Sequence, residues 1–214
     1  MINDTYRHKG LRKILVDEIK AYGIVDNNVL SAINTVPRHL FMESGFIQFA
    51  YKDNAFPIGA GQTISQPYTV AVQSELLEIK KGDKVLEVGT GSGYQAAVLV
   101  EMGAKVFTIE RQRELFLKSQ ALLKKLGYKL QFFYGDGYKG LPTYGPFDKI
   151  IVTAGAPFIP EELKQQLKIG GILVIPVGKN VQKMTKIVRI SENDYKITEH
   201  GDFSFVPFLK GKSK

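Results

Sequence analysis

Three glycines spaced two residues apart are the first feature of this sequence that could do chemistry. Gly89, Gly91 and Gly93 follow an apolar segment ending in Glu87-Val88, and helix-forming residues follow them in turn. Glycines at such a junction let the backbone turn tightly and let a ligand approach closer than a Cβ atom would allow. The spacing indicates a site for a nucleoside-type cofactor, while a tight turn that binds no ligand stays an alternative.

The same spacing argues against a dinucleotide. NAD-binding folds carry the fingerprint G-x-G-x-x-G, and the position of its last glycine is occupied here by Tyr94. We therefore do not expect NAD as the cofactor.

Two acidic residues follow the next apolar segments. Glu110 stands roughly 20 residues after the glycines, the spacing at which a carboxylate meets a ribose hydroxyl in nucleotide-binding α/β folds. Asp136, between Gly135 and Gly137, can accept a hydrogen bond from an adenine amino group, or can simply form a turn. Because all these residues follow strand-like segments, we expect them at one edge of a sheet.

The composition excludes several kinds of site. The 214 residues include no cysteine, which removes disulfides, thiolate nucleophiles and cysteine-bound metals. His8, His39 and His200 stand far apart in the sequence, so we expect no histidine-based metal site. A hydrophobic content of 44% and a charged content of 23% are typical of a globular protein.

Charge and hydropathy bear on partners and location. The 29 basic and 21 acidic residues give a net charge of +8, but the basic residues are scattered, and we interpret them as solvated faces and a frayed tail over 210–214. The N-terminus has no signal-like core, and no segment approaches the ~20 apolar residues of a membrane span. We expect a cytoplasmic protein with no membrane and no stable nucleic-acid partner.

The elements that must position these residues alternate along the middle of the chain. Residue patterns predict strands over 84–88, 105–109, 130–134, 149–153 and 171–177, and helices over 95–103, 111–126 and 160–168. Strands joined through helices pair in parallel, because such crossovers need about a dozen residues or more. The expected fold is α/β, a doubly wound and mostly parallel sheet with helices on both faces.

Two extensions flank this core. Helices are predicted over 10–22, after Asp26 and near 67–79, with short strands or an ordered loop over 46–66; antiparallel strands are predicted over 184–190, 195–199 and 203–208. We expect a single domain over 1–214. Its parts are N-terminal helices and an acceptor loop in 1–82, a cofactor-binding core in 83–178, and C-terminal strands with a basic tail in 179–214.

The core over 83–178 resembles the S-adenosylmethionine site of Rossmann-like, class I methyltransferases. Within that superfamily, the absence of cysteine excludes methylation of cytosine through a covalent adduct. The segment 152–157 lacks the Asn/Asp-Pro-Pro-aromatic motif of adenine amino methylation, and no acidic cluster suggests a magnesium-dependent catechol enzyme. The resemblance therefore implies an oxygen acceptor that needs neither metal nor thiol.

Motifs outside the core identify the family more closely. Two motifs are the most informative: Val-Pro-Arg-His-Leu-Phe over 36–41 and Gly-Gln-Thr-Ile-Ser-Gln-Pro over 61–67. Together with shorter matches at 147–148, 167–171 and 176–178, they resemble protein-L-isoaspartate O-methyltransferases of bacteria and archaea. The match covers nearly the whole chain and is looser over 205–208. The resemblance implies methyl transfer from S-adenosylmethionine to the free α-carboxylate of L-isoaspartyl residues, which starts the repair of damaged proteins and peptides through a succinimide.

The resemblance also implies site residues. Ser65 would be the active-site residue. Cofactor contacts would come from Gln62, Thr63, Ile64, Ser65, Glu87, Gly89, Thr90, Gly91, Gly93, Glu110, Arg111, Asp136 and Gly137. Substrate contacts would come from Asp53, Ile58 and Val206, and no residue would bind a metal.

A serine suits this chemistry. A carboxylate with a pKa near 4 is already ionised at neutral pH, so it needs orientation rather than a general base to attack a methyl group. The Ser65 hydroxyl can orient one carboxylate oxygen while withdrawing little charge from it. The alternative is that Ser65 only closes a side-chain turn before Gln66-Pro67.

Two other functions stay open at this point. The net charge of +8 would suit a methyltransferase that acts on RNA or on another protein, although the sequence contains no basic run interleaved with aromatic residues. A protein that binds the cofactor without transferring a methyl group is the third possibility.

Overall fold

A seven-stranded sheet is the centre of the computed structural model, which describes residues 4–213. The strands of the chain are Phe56–Gly59 (β1), Gln62–Ile64 (β2), Lys84–Val88 (β3), Lys105–Glu110 (β4), Gln131–Tyr134 (β5), Phe147–Val152 (β6), Leu167–Val177 (β7), Gln182–Arg189 (β8) and Tyr195–Phe203 (β9). β1 and β2 form a separate antiparallel hairpin, and the large sheet has the order β5-β4-β3-β6-β7-β8-β9.

Within the described residues, six α-helices surround the sheet. They are Tyr6–Ala21 (α1), Asn27–Thr35 (α2), Pro67–Leu76 (α3), Tyr94–Glu101 (α4), Arg113–Lys125 (α5) and Glu161–Gln165 (α6). None of the helices within residues 4–213 combines the length and the apolar character that a membrane span requires.

The strand order reverses beside β3. From β3 the chain moves outward through β4 to β5 and then returns to place β6 on the other side of β3, all in parallel pairing. Such a reversal leaves a crevice at the carboxyl ends of the central strands, where open α/β sheets bind ligands. β8 and β9 pair antiparallel at the far edge. The predicted α/β fold with antiparallel C-terminal strands is confirmed.

Alternating residues of the strands build a core on each face of the sheet. Val85 and Ile151 face a cluster that includes the buried residues of α1 to α4, and their neighbours Leu86 and Ile150 face a second cluster that includes Leu163 of α6. Since strand side chains alternate between faces, one apolar run supplies both layers. This arrangement gives helices on both faces, as predicted.

The N-terminal helices begin where capping residues allow. The Asp26 side chain accepts hydrogen bonds from the N–H groups of Asn28 and Val29 and starts α2 as predicted. α1 begins at Tyr6, four residues before the predicted start at Gly10, because Thr5 caps it by accepting from the His8 N–H. The segment predicted over 46–66 contains a 3-10 turn and the β1–β2 hairpin.

Two predicted elements are wrong: one helix ends early and one strand is absent. The helix predicted over 160–168 stops at Gln165, because β7 begins at Leu167, which pairs with Phe147 of β6. The strand predicted over 203–208 does not form, since β9 ends at Phe203. Pro207 has no N–H to offer a ladder, and the chain there makes only an isolated bridge with Gly155, after the end of β6.

Candidate functional site

A cavity of about 800 Å³, partly open to solvent, lies at the carboxyl ends of β3, β4 and β6. Of the residues predicted from the sequence, those on its wall are Gln62, Thr63, Ile64, Ser65, Gly89, Thr90, Gly91, Glu110, Arg111, Gly137 and Val206. Segments from both ends of the chain therefore meet at one site.

The glycine loop forms the floor of the cavity. Gly89, Gly91 and Gly93 all have positive φ angles, of 99°, 52° and 88°. A Cβ atom on Gly89 would lie 2.4 Å from Oγ1 of Thr153, so no other residue fits there without displacement. The Thr153 hydroxyl is held 2.7 Å from the Gly89 carbonyl. The end of β6 and the loop are thus packed together, and main-chain atoms line the site.

Glu110 connects the end of β4 to this loop. Its Oε2 accepts a hydrogen bond from the Gly91 N–H at 2.9 Å, and its Oε1 accepts from the Gln112 N–H at 2.8 Å. Each carboxylate oxygen has a further lone pair, so the side chain can still accept from a ligand hydroxyl. The carboxylate predicted to meet a ribose therefore also fixes the shape of the floor.

Glu87 lies beneath the floor rather than on the wall. It is fully buried, and its Oε2 accepts from the Thr108 hydroxyl, which in turn accepts from the Thr90 hydroxyl, both at 2.6 Å. Burial raises the pKa of Glu87 to about 8, and the nearby charge of Glu110 adds to the rise. The hydrogen bond from Thr108 acts in the opposite direction and lowers this pKa. The predicted cofactor residue Glu87 thus supports Thr90, which does reach the cavity.

Ser65 lies on the wall of the same cavity that the glycine loop lines. It follows β2 directly and precedes α3, which begins at Pro67. Within residues 4–213, no hydrogen bond joins the Ser65 hydroxyl to another protein group. The alternative that this serine closes a side-chain turn would require such a bond. Its hydroxyl is therefore available to a ligand in the cavity.

Other predicted residues lie near the cavity but not on its wall. Gly93 is the N-cap of α4, and Asp136 caps a 3-10 turn by accepting from the Tyr138 N–H at 3.0 Å. Ile58 is buried beside Gly91 in a neighbouring apolar pocket of about 330 Å³. Asp53 lines a third, open cleft next to Gln66. The structure therefore places these four residues around the site.

A large part of the wall consists of residues that the sequence does not predict as site residues. Tyr94, Gln95, Gln112, Thr153 and Ala154 contribute to it, as do Pro207, Phe208 and Leu209 beside Val206. The position of Thr153 directly after β6 is a signal that could have been used, since ligands bind at strand carboxyl ends. No local signal marks the C-terminal residues.

The C-terminal strap, residues 206–213, crosses the edge of the cavity. Gly155 donates to the Val206 carbonyl and accepts from the Phe208 N–H, both at 2.8 Å. Farther along, Arg111 Nε donates to the Gly211 carbonyl at 2.9 Å, and the Tyr134 hydroxyl donates to the Ser213 carbonyl at 2.7 Å. The prediction of a frayed tail is therefore wrong for residues 210–213, and Lys214 lies outside the described residues.

The N-terminal region brings together side chains that are distant in sequence. The rings of His8 and His39 stack with their centres 3.8 Å apart, and ligand atoms of Asp4, His8 and His39 lie within 4.8 Å of one another. Wide spacing in the sequence, from which we expect no histidine-based metal site, therefore does not keep His8 and His39 apart in the fold. Both oxygens of Asp4 accept from Arg12, whose positive charge opposes a cation at this position.

The wall also suits the cofactor that the glycine loop predicts. It offers a carboxylate at Glu110 and main-chain groups along the loop, and Gln95 contributes a buried Oε1 with no hydrogen-bond partner in the described residues. Apolar side chains such as Val88, Ile109 and Phe208 supply flat contact surface. A nucleoside joined to an amino acid requires both kinds of contact.

Comparisons with known proteins agree with this geometry. Residues 10–213 match the family described as Protein-L-isoaspartate(D-aspartate) O-methyltransferase. The chain is 62% identical to the protein-L-isoaspartate O-methyltransferase of Christiangramia forsetii and 61% identical to that of Flavobacterium psychrophilum, covering in each case 99% of this chain and 100% of the relative.

Solved structures of proteins described as protein-L-isoaspartate O-methyltransferases also superpose on this chain. One protein-L-isoaspartate O-methyltransferase superposes with a TM-score of 0.83 at 29% identity, over 92% of this chain and 65% of that one. A Plasmodium falciparum structure described as the same kind of enzyme, in complex with S-adenosyl-L-homocysteine, superposes with a TM-score of 0.81 at 26% identity, over 93% of this chain and 98% of that one. A match to the family over residues 10–213 and relatives more than 60% identical over their full length place this chain in the protein-L-isoaspartate O-methyltransferase family.

Proposed function

We propose that this chain transfers a methyl group from S-adenosylmethionine to the free α-carboxylate of L-isoaspartyl residues in damaged proteins and peptides. The observation that carries the proposal is the place of Ser65, on the wall of the same cavity that the glycine loop and Glu110 line. A hydroxyl suited to orient an acceptor carboxylate thus faces a site suited to the methyl donor.

The bound cofactor supplies a methyl group on a positively charged sulfur, which makes that carbon electrophilic. An isoaspartyl carboxylate oxygen attacks this carbon, the carbon–sulfur bond breaks, and its electron pair stays on sulfur. The products are a methyl ester and S-adenosylhomocysteine. The protein has no proton to remove in this step, so its contribution is orientation and exclusion of water. The ester then closes to a succinimide, whose hydrolysis returns some normal aspartate.

Different parts of the wall serve the two ligands in this proposal. The cofactor contacts Gln62 to Ser65, Gly89 to Gly91, Glu110, Arg111 and Gly137, which all lie on the wall. Glu87, Gly93 and Asp136 support these residues from behind. Val206 contacts the substrate near Ser65, and Ile58 supports the hairpin that carries Ser65. We also propose that residues 1–214 act as one domain, because the wall needs the N-terminal hairpin, the central loop and the C-terminal strap together.

A pair of peptides tests the proposal. One contains L-isoaspartate and the other contains aspartate in the same sequence, and labelled methyl transfer to each is measured with S-adenosylmethionine. We expect transfer to the isoaspartyl peptide alone, no loss of activity in EDTA, and release of the label in mild alkali, as for an ester. A label stable to alkali would contradict the proposal, and so would equal transfer to both peptides.

A further inference from the structure

Asp53 stands out among the polar residues around Ser65, because both of its oxygens are bonded within the chain. Oδ2 accepts from the Gln66 side-chain amide at 2.7 Å, and Oδ1 accepts from the Tyr68 N–H at 2.7 Å. Gln66 and Tyr68 are one and three residues after Ser65. The carboxylate therefore holds the segment that leaves the candidate active site.

The Tyr68 N–H belongs to the first turn of α3, where main-chain N–H groups have no partner inside the helix. The N-cap of α3 is Gln66, and its own side chain makes no capping hydrogen bond. Asp53, from another part of the chain, supplies the missing acceptor. A negative charge at this end of a helix is also favoured by the helix dipole. The start of α3 is therefore fixed by Asp53 rather than by its local sequence.

The other side of Ser65 is held independently. β2 ends at Ile64 and is paired with β1, so Ser65 is the link between a hairpin and a helix start. The turn that carries Asp53 is itself anchored, because the fully buried Arg38 donates from Nη2 to the Asn54 carbonyl at 3.2 Å. Fixing both neighbours of Ser65 restricts the directions in which its hydroxyl can point.

We propose that Asp53 is a positioning residue that orients Ser65 toward the acceptor carboxylate through Gln66 and the first turn of α3. The inference rests on the proposed function, since Ser65 must touch the acceptor for its orientation to matter. It differs from a direct substrate contact, because the hydrogen bonds of both carboxylate oxygens hold the segment that follows Ser65. A displacement of about 1 Å at a reacting group can cost a factor of 100 in rate.

The positioning role can be tested by exchanging the donor and the acceptor of the hydrogen bond between Gln66 and Asp53. Asp53→Asn keeps an oxygen for the Tyr68 N–H but places two amide groups against each other, while Gln66→Glu places two carboxylates against each other. The double variant restores one donor and one acceptor with their roles reversed. A double-mutant cycle isolates this pairwise interaction.

The measurement is kcat and KM for the isoaspartyl peptide, with S-adenosylhomocysteine affinity and the melting temperature measured for each variant. We expect Gln66→Glu to lower kcat roughly 10- to 100-fold, Asp53→Asn to lower it less, and the double variant to return to within about fivefold of wild type. Cofactor affinity should change less than about threefold, because neither residue lies on the cavity wall.

Two results would overturn the positioning role. One is a double variant whose kcat is no higher than the value obtained by multiplying the effects of the two single substitutions. The other is a rise in KM for the peptide with kcat unchanged, which would make Asp53 a substrate contact. Because the wild-type enzyme is assayed beside the variants, failure of the proposed function would appear separately, as a wild-type enzyme that does not methylate the isoaspartyl peptide.

Discussion

The carboxylate of Glu110 accepts a hydrogen bond from the main-chain N–H of Gly91 across 2.9 Å, and this bond ties the end of β4 to the loop after β3. Glu110 ends β4 and Gly91 lies in the loop after the neighbouring parallel strand β3, so a single side chain sets both the position of the loop and the polar character of the cavity. We therefore expect substitutions in this loop to affect cofactor binding more than substitutions in a turn that lies away from the cavity.

Gly91→Ala tests this relationship. The residue has φ of 52°, a region that costs a residue with a side chain about 1 to 2 kcal/mol. The new Cβ atom would lie 3.5 Å from Ile58, which is ordinary contact, so the cost comes from the backbone rather than from a clash. We expect weaker S-adenosylhomocysteine binding, measured by calorimetry.

Gly127→Ala is the matched control. Gly127 has φ of 84°, has open space around it, and lies after α5 away from the cavity wall. Its substitution should lower the melting temperature without altering cofactor affinity. Equal affinity in both variants would show that the Gly91 conformation does not matter for binding.

Ser65→Ala should separate turnover from cofactor binding. The loss of one hydrogen bond to a charged group is worth roughly 1.5 to 3 kcal/mol, which corresponds to a 10- to 150-fold fall in kcat/KM for the isoaspartyl peptide. The affinity for S-adenosylhomocysteine should stay within about threefold. Ser65→Thr should retain more activity because it keeps the oxygen.

Ser204→Ala, at an exposed position outside the cavity wall, should behave as the wild-type enzyme in the same assays. Full activity in the Ser65→Ala variant at low peptide concentration would mean that other groups orient the acceptor carboxylate.

Glu87→Gln should change how stability depends on pH. The folded protein keeps the Glu87 proton up to a pH of about 8, whereas the unfolded chain releases it near the ordinary pKa of 4.5. The native state binds more protons between these values, so this group's contribution is complete below pH 4.5 and is lost as the pH rises to about 8. Since one pKa unit corresponds to about 1.4 kcal/mol, the total effect is a few kcal/mol.

Urea unfolding between pH 5 and pH 9 measures this effect. The wild-type protein should lose stability across the interval relative to Glu87→Gln, because the amide is neutral at every pH. Parallel curves for the two proteins would show that Glu87 does not titrate in this range.

Tyr134→Phe should accelerate the release of S-adenosylhomocysteine. The variant loses the hydrogen bond to the Ser213 carbonyl, which holds the far end of the C-terminal strap. We expect dissociation to become roughly 2- to 10-fold faster, as for the loss of one neutral hydrogen bond, and faster still when residues 210–214 are removed. Release of labelled product into excess unlabelled product gives the rate.

Tyr6→Phe, which alters a highly exposed ring on α1, serves as the control and should leave the release rate unchanged. An unchanged rate in the truncated protein would mean that the strap does not limit release.

The parts of the molecule that the sequence predicts well are those with local patterns. The five parallel strands were predicted to within two residues at almost every end, because buried strands need continuous apolar runs between turn residues. The exception is β7, whose start at Leu167 depends on pairing with Phe147. The sequence predicts the glycine loop because it directly follows such a strand, and it predicts Glu110 because this residue lies where such a strand ends.

The remaining parts depend on contacts between distant residues. Arg111 and Gly211 are 100 positions apart, and His8 meets His39 only through the packing of α1 against its neighbours. No periodicity or turn motif marks such contacts, so the strap and the histidine pair were missed. For the same reason, the sequence alone does not distinguish a positioning role of Asp53 from a contact with the substrate. Its partners Gln66 and Tyr68 are identified only by the folded geometry.

The C-terminal strap also has a consequence for how the protein is made. Chains emerge from the ribosome with their N-terminal part first. The glycine loop and Glu110 emerge about a hundred residues before Phe208, so for that time the apolar residues Val88 and Ile109 lack part of their cover. The part of the cavity wall formed by Val206 to Leu209 is completed only after the strap has been synthesised. A nascent chain therefore exposes part of this apolar surface until residues 206–213 have left the ribosome and packed against it.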